Sequence, residues 1–213
     1  MSAGGDPLAP LRTESWIAEA RRKAIHLAFL VLPLVLLFEP LPWPRGRAQW
    51  SWLLIVLVAG AVVIDVVRIH DRRLGSLFRT LLGGILRDHE STSLLGSTYL
   101  LIATLLAVEI FPQAVAATAI GFTVLGDAFA AMVGRAWGRT RFFGKTLEGF
   151  AAGLAACLVW AAVVGLTGRL PWEVLIAGAL AASLMEFLPI PLDDNLGVTL
   201  FAGYVMKLLW SPL

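Results

Sequence analysis

Apolar residues fall into seven runs along the chain, each ended by a short polar or proline-bearing segment. The runs cover residues 24–38, 50–67, 94–111, 113–133, 147–166, 172–188 and 196–210. Several are near the short end of the roughly 17–25 residues that a membrane-crossing helix needs. The pattern predicts an all-α, polytopic integral membrane protein with about seven transmembrane helices. Pro112 closes the third run, and Pro189 and Pro191 end the sixth. Residues 71–87 differ. Leu74, Leu77, Phe78, Leu81, Leu82 and Ile85 recur there at helical spacing, with Arg72, Arg73 and Arg79 between them. That pattern fits an amphipathic helix lying in the membrane interface, and equally a helix packed on the ends of the spans.

Ahead of the first run, residues 1–20 are small or polar and include Pro7 and Pro10. They read as a loose tail, helical near Trp16. Arg21, Arg22 and Lys23 followed by an apolar stretch imitate a signal peptide. The run ends in Glu39-Pro40-Leu41-Pro42-Trp43-Pro44 rather than at a small-residue cleavage site, so it reads as an uncleaved span. The organisation expected is a tail over residues 1–23 and one membrane-embedded catalytic domain over residues 24–213.

Composition supports the membrane reading. The chain is 58% hydrophobic and 15% charged, against about 25% charged in soluble domains. The net charge of +2 says less than its distribution. Thirteen of the seventeen Lys and Arg residues fall on one side of a seven-span topology, and only Arg45, Arg47, Arg169 and Lys207 fall on the other. The positive-inside rule therefore places the N-terminus and the Asp127–Glu148 loop in the cytoplasm and the C-terminus outside. Trp43, Trp50, Trp52, Trp137, Trp172 and Trp210 lie near span ends, as an aromatic belt requires. The lone Cys157 allows no intrachain disulfide, and nothing in the pattern resembles a nucleic-acid-binding module.

The acids carry the candidate chemistry. Glu90, Asp127, Glu148, Glu186, Asp193 and Asp194 all map to the side that holds most of the basic residues. An ionisable group at membrane depth is a functional hypothesis by default. Asp127 lies in the fourth run, roughly 10 Å from the loop at about 1.5 Å per residue. Beside it Gly126, Ala130, Gly134 and Gly138 form a small-residue stripe that lets helix backbones approach closely. The loop that follows carries Arg135, Arg139, Arg141 and Lys145. Its Gly138-to-Thr146 segment imitates a phosphate-binding P-loop, but the spacing is one residue too long and no strand precedes it. The same logic survives in another form: Gly144 frees the backbone, Lys145 offers a point charge, and Thr146 caps a helix beginning near Leu147. Glu148 can also serve simply as a favourable charge at that helix N-terminus. Between runs six and seven, Asp194 or Asn195 is expected to cap the last helix, leaving further acids for a metal or nucleotide. Carboxylates together with bases suit Mg²⁺ bound to a nucleotide. His26, His70 and His89 are not spaced as zinc ligands. Ser97, Thr98 and Tyr99 read as helix-packing hydroxyls.

On these residues the sequence resembles the family of dolichol kinases, phytol kinases and CTP-dependent diacylglycerol kinases, itself related to phosphatidate cytidylyltransferases. The resemblance rests on Gly126-Asp127-Ala128 with Gly134 and Gly138, on Gly144-Lys145-Thr146-Leu147-Glu148-Gly149, and on Glu186 with Asp193-Asp194-Asn195. Arg22-Lys23 with His26, and Ser97-Thr98-Tyr99, are similar to weaker features of the family. The Lys145-to-Gly149 and Glu186-to-Asn195 pieces look most like the dolichol kinase branch, of whose longer eukaryotic members the chain matches only the catalytic part. The His-Gly-Gly and spaced Asp-Arg-Asp signature of the cytidylyltransferases is absent.

The resemblance implies transfer of the γ-phosphate of CTP to the hydroxyl of a membrane lipid such as a polyprenol, phytol or diacylglycerol. Lys145, with Arg135 or Arg139, would neutralise the triphosphate, beside Gly144, Thr146, Asp194 and Asn195. Asp127, Glu186, Asp193 and Asp194 would hold Mg²⁺, with Asp127 also placed to act as base and Glu148 to support Lys145. A homodimer is compatible with this reading. A cytidylyltransferase-like enzyme making a CDP-lipid is the alternative. A small ion-coupled transporter is a third, although it predicts charges at the bilayer midplane and an internal repeat, which is not visible here.

Overall fold

α6 (Gln113–Trp137) runs through the centre of the molecule, and the other elements are arranged around it. The computed structural model describes residues 9–82 and 92–210. Before α6 in the chain come α1 (Ala9–Ala28), α2 (Val31–Phe38), α3 (Gly46–His70), α4 (Arg72–Leu82) and α5 (Gly96–Ile110). After it come the hairpin strands β1 (Arg141–Phe142) and β2 (Lys145–Thr146), then α7 (Leu147–Gly165), α8 (Trp172–Phe187) and α9 (Asp194–Leu209). α6 packs on α7, α9, α2, α1, α8 and α5. Its Ala, Gly and Thr residues explain this position, because small residues let several helices approach one backbone. α3 is the opposite case. Trp52, Val56, Val63 and Ile64 leave its outer side apolar and exposed, which is how a helix facing hydrocarbon is composed.

Among the described residues, α3, α6 and α7 are long and apolar enough to cross a membrane. α5 is a shorter apolar helix. α8 and α9 have 16 residues each, or about 24 Å at 1.5 Å per residue, less than the roughly 30 Å of a bilayer core. The chain is thus nearly all-α with three candidate spans, and the larger number of crossings expected from the apolar runs is not established. The helix expected within 71–87 is present as α4. Ile85, Arg87, His89 and Glu90 lie outside the described residues.

The N-terminal region departs from expectation. The boundary set at Lys23 falls inside a continuous helix, α1, and the apolar run over 24–38 is divided by a turn at Phe29 and Leu30. α1 packs on α6, and Glu19 and Lys23 are buried. A stretch read as tail therefore belongs to the bundle.

The seam between α6 and α7 is built from glycine. A Cβ on Gly134 would come within 2.7 Å of Thr146 Oγ1, and one on Gly149 within 2.7 Å of the Ala130 carbonyl oxygen. A Cβ on Gly153 would lie 3.1 Å from both Ala130 Cβ and the Gly126 carbonyl oxygen. The predicted small-residue stripe is the close contact that seats the hairpin between α6 and α7. Gly149→Val is expected to destabilise the fold by roughly 1–3 kcal/mol through overpacking; thermal unfolding in detergent measures it.

At the end of the bundle opposite the hairpin, the four isolated basic residues are used locally. Arg47 donates to the Phe111 carbonyl at 3.1 Å, Lys207 to Ile110 at 3.0 Å, Arg45 to Leu41 at 3.4 Å, and Arg169 to Leu37. These carbonyls lie at or near helix C-termini, where free acceptors and the helix dipole favour cations. Gln113 closes the same end by donating to the Leu36 carbonyl at 2.6 Å and to Glu39 Oε1 at 2.7 Å.

Candidate active site

The hairpin holds Lys145 at the edge of the bundle. Residues 143 and 144 form its turn, and both have positive φ, 51° and 81°. Glycine adopts this conformation freely, while Phe143 is an outlier for a bulky residue. Phe142 pairs across the hairpin with Lys145, and Arg141 with Thr146. Thr146 is the N-cap of α7 and accepts from the Gly149 N–H at 3.1 Å, as its position in the sequence predicts. Glu148 accepts from the Thr140 N–H at 3.2 Å, and Leu147 N–H donates to the Thr140 carbonyl at 3.0 Å. Glu148 therefore ties down the base of the hairpin; its hydrogen bonds go to the loop backbone rather than to Lys145.

Lys145 Nζ is held by two other elements. It donates to Glu186 Oε1 at 2.9 Å, to the Glu186 carbonyl, and to Asp194 Oδ2 at 3.2 Å. Burial works to lower its pKa, but the Glu186 and Asp194 carboxylates outweigh burial and hold it above the ordinary lysine value. The C-terminus of α8, the N-terminus of α9 and the hairpin thus meet on one ammonium group. Two acceptors here are left over: Glu186 Oε2 and Asn195 Oδ1 are buried without a hydrogen-bond partner.

The cap of α9 is Asp193, not Asp194 or Asn195. Its side chain accepts from the Asn195 N–H at 2.9 Å. Burial raises the Asp193 pKa, and the hydrogen bond from Asn195 opposes that shift. Asn195 uses its amide nitrogen on the Gly96 carbonyl at 3.2 Å, joining the N-termini of α9 and α5. Asp194 is the acid of this pair that faces Lys145.

Asp127 stands on α6 in a second cluster supplied by α1. Lys23 donates to Asp127 Oδ2, and His26 Nε2 lies 3.4 Å from the same oxygen. Lys23 Nζ is also 4.0 Å from Glu19 Oε1. Glu19 is buried, pairs with Arg22, and lies 3.0 Å from Arg135 Nη2. Arg135 is thus engaged by α1, whereas Arg139 is exposed. The two clusters are neighbours, because Asp127, Asp194 and Lys145 all act electrostatically on Glu186. Asp127, Lys145, Glu186 and Asp194 therefore share one end of the bundle.

Sequence reasoning missed Glu19 and treated Lys23 and His26 mainly as flanking residues. A signal was present. Glu19, Arg22, Lys23 and His26 are spaced i, i+3, i+4 and i+7, one polar stripe on a helix. Asp65 was also missed. It is fully buried in α3, 2.8 Å from Arg68, and accepts from the Leu95 N–H at 3.0 Å and from Thr98 Oγ1 at 2.7 Å. Arg68 adds a bond to the Ser93 carbonyl at 2.8 Å. This buried pair fixes the start of α5 and gives Thr98 the structural role expected of it.

Among the described residues, no group of three or more His, Cys, Asp or Glu is close enough to hold a metal ion by itself. No protein-family model matches the chain, and no solved structure matches it. An uncharacterized protein of Rickettsia prowazekii is 23% identical over 197 residues, covering 89% of this chain and 94% of the relative. A CTP-dependent diacylglycerol kinase of Schizosaccharomyces pombe is 23% identical over 161 residues, covering 68% of this chain and 74% of that protein. The chain is thus a membrane-type helical protein with distant similarity to a lipid kinase.

Proposed function

We propose that the protein is a CTP-dependent lipid kinase that phosphorylates a lipid alcohol at the cytoplasmic face of a membrane, with seven crossings, the N-terminus inside and the C-terminus outside. The observation that carries this reading is Lys145 held between Glu186 and Asp194 at the end of an apolar bundle where Asp127, paired with Lys23, also lies. Distant similarity to a kinase that uses CTP on diacylglycerol supports the donor and the acceptor class.

Phosphoryl transfer needs chiefly positioning and neutralisation of charge. Lys145 binds the triphosphate, and exposed Arg139 is free to reach it from the same loop. The lipid hydroxyl oxygen attacks the γ-phosphorus, the bond from that phosphorus to the β–γ bridging oxygen breaks, and CDP leaves. The hydroxyl proton passes to the Asp127 carboxylate, which Lys23 and His26 orient. The residues also fit Mg²⁺, a hard cation that takes one or two carboxylates together with phosphate oxygens and water. Asp194 and the two unpartnered oxygens, Glu186 Oε2 and Asn195 Oδ1, would hold it. Bound there, Mg²⁺ would supply charge neutralisation on the triphosphate.

The test is a matrix of CTP, ATP, GTP and UTP against diacylglycerol, polyprenol and phytol, with purified protein in mixed micelles. CDP together with a lipid monophosphate is the expected product pair. Pyrophosphate together with a CDP-lipid would establish cytidylyl transfer instead, and no turnover with any pair would refute both.

A further inference from the structure

We propose that α4 docks on the anionic headgroup layer of the membrane that holds the bundle. The proposal is independent of which reaction the protein catalyses. α4 contains Arg72, Arg73 and Arg79 and no acidic residue. The acid just before it, Asp71, is consumed as a cap, accepting from the Arg73 N–H at 2.8 Å and the Leu74 N–H at 3.0 Å. Arg73 is exposed, and so are the apolar Leu74 (47%) and Leu77 (53%). Basic residues beside uncovered leucines on a short helix form the composition that binds an anionic lipid surface.

Position selects that partner over others. α3 has 25 residues, about 38 Å at 1.5 Å per residue, so it outruns a hydrocarbon core of roughly 30 Å. Its exposed apolar side continues through Val63, Ile64, Val66 and Val67 to the last turn, where α4 begins. α4 is held against that end. A Cβ on Gly75 would lie 2.7 Å from the Arg68 carbonyl oxygen, and the Arg68 guanidinium sits 5.3 Å from the centre of the Phe78 ring. Arg68 is in turn fixed by Asp65. The apolar band of the bundle thus gives way to α4 at the depth where headgroups lie, with Leu74 and Leu77 placed to enter and the exposed Arg73 placed to meet phosphate.

The full chain carrying Leu77→Cys tests this, because the native Cys157 is buried. The protein is labelled with an environment-sensitive fluorophore and reconstituted into vesicles of phosphatidylcholine, alone or mixed with phosphatidylserine. In mixed vesicles the probe is expected to shift to the blue and to be quenched by lipid-borne quencher. Arg73→Gln and Arg79→Gln should each lower the docked-to-free ratio roughly fivefold, and added salt should lower it with both arginines intact. The salt titration needs no arginine variant, so it decides the matter even if a substitution disturbs the fold. A probe that reports water in both vesicle types overturns the proposal. So does one inserted equally in both at every salt concentration, the result of purely apolar anchoring, and one protected only by a second copy of the chain.

Discussion

Asp127→Asn is expected to lower turnover by about 10²–10⁴-fold, the usual contribution of a positioned general base, while nucleotide affinity stays near that of the unaltered protein. Asparagine keeps the shape and an acceptor oxygen for Lys23 but cannot take the hydroxyl proton. The substitution also removes the anion that faces a buried lysine. Lys23 is 2% exposed, and a buried charge that loses its partner destabilises a protein strongly. Glu19 limits that effect, because its Oε1 lies 4.0 Å from the same ammonium group. Thermal unfolding beside single-turnover kinetics separates the two contributions. A folded variant with near-normal turnover would remove Asp127 from the chemistry and leave it a packing residue for α1.

Lys145→Ala is expected to weaken nucleotide binding by roughly ten- to a hundredfold, the worth of a hydrogen bond to a charged group, with a smaller loss in the rate of the bound complex. In the unliganded fold Lys145 satisfies Glu186 and Asp194. A triphosphate arriving there competes with those carboxylates for one ammonium group, which is why Mg²⁺ should assist binding in this site. Equilibrium binding of nucleotide with and without Mg²⁺ reads both effects, and unchanged affinity would show that Lys145 only staples the hairpin to α8 and α9. The pairing also has a pH signature. The Lys145 pKa is raised above 10.5 in the fold, so its stabilising effect is complete below that value and is lost as pH climbs past the raised pKa. An alkaline loss of stability present in the unaltered protein and absent from Lys145→Ala is the expected result.

The similarity to a CTP-dependent diacylglycerol kinase and the geometry are separate lines of support. The similarity, at 23% identity, concerns donor and acceptor class and is silent on individual residues. The geometry concerns how residues are grouped and is silent on the lipid. Asp193 illustrates the difference. The motif offers two adjacent acids as equivalent candidates, and the fold separates them: Asp193 caps α9 while Asp194 meets Lys145.

The sequence by itself determined the elements, because apolar periodicity and capping are local properties. The six later apolar runs correspond to α3 and α5 to α9, and Thr146 caps α7 where its spacing placed it. The Gly126-to-Gly138 stripe also foretold a tight helix contact, since the absence of side chains is itself the physical cause of close approach. The grouping of the charges was decided only by tertiary structure. Lys23 and Asp127 are 104 residues apart, and the polar stripe that carries Lys23 marks a helix face without naming the distant carboxylate that the face meets. The burial of Asp65 and Glu19 has the same origin, as a charge can be kept away from water only once packing brings its partner to it.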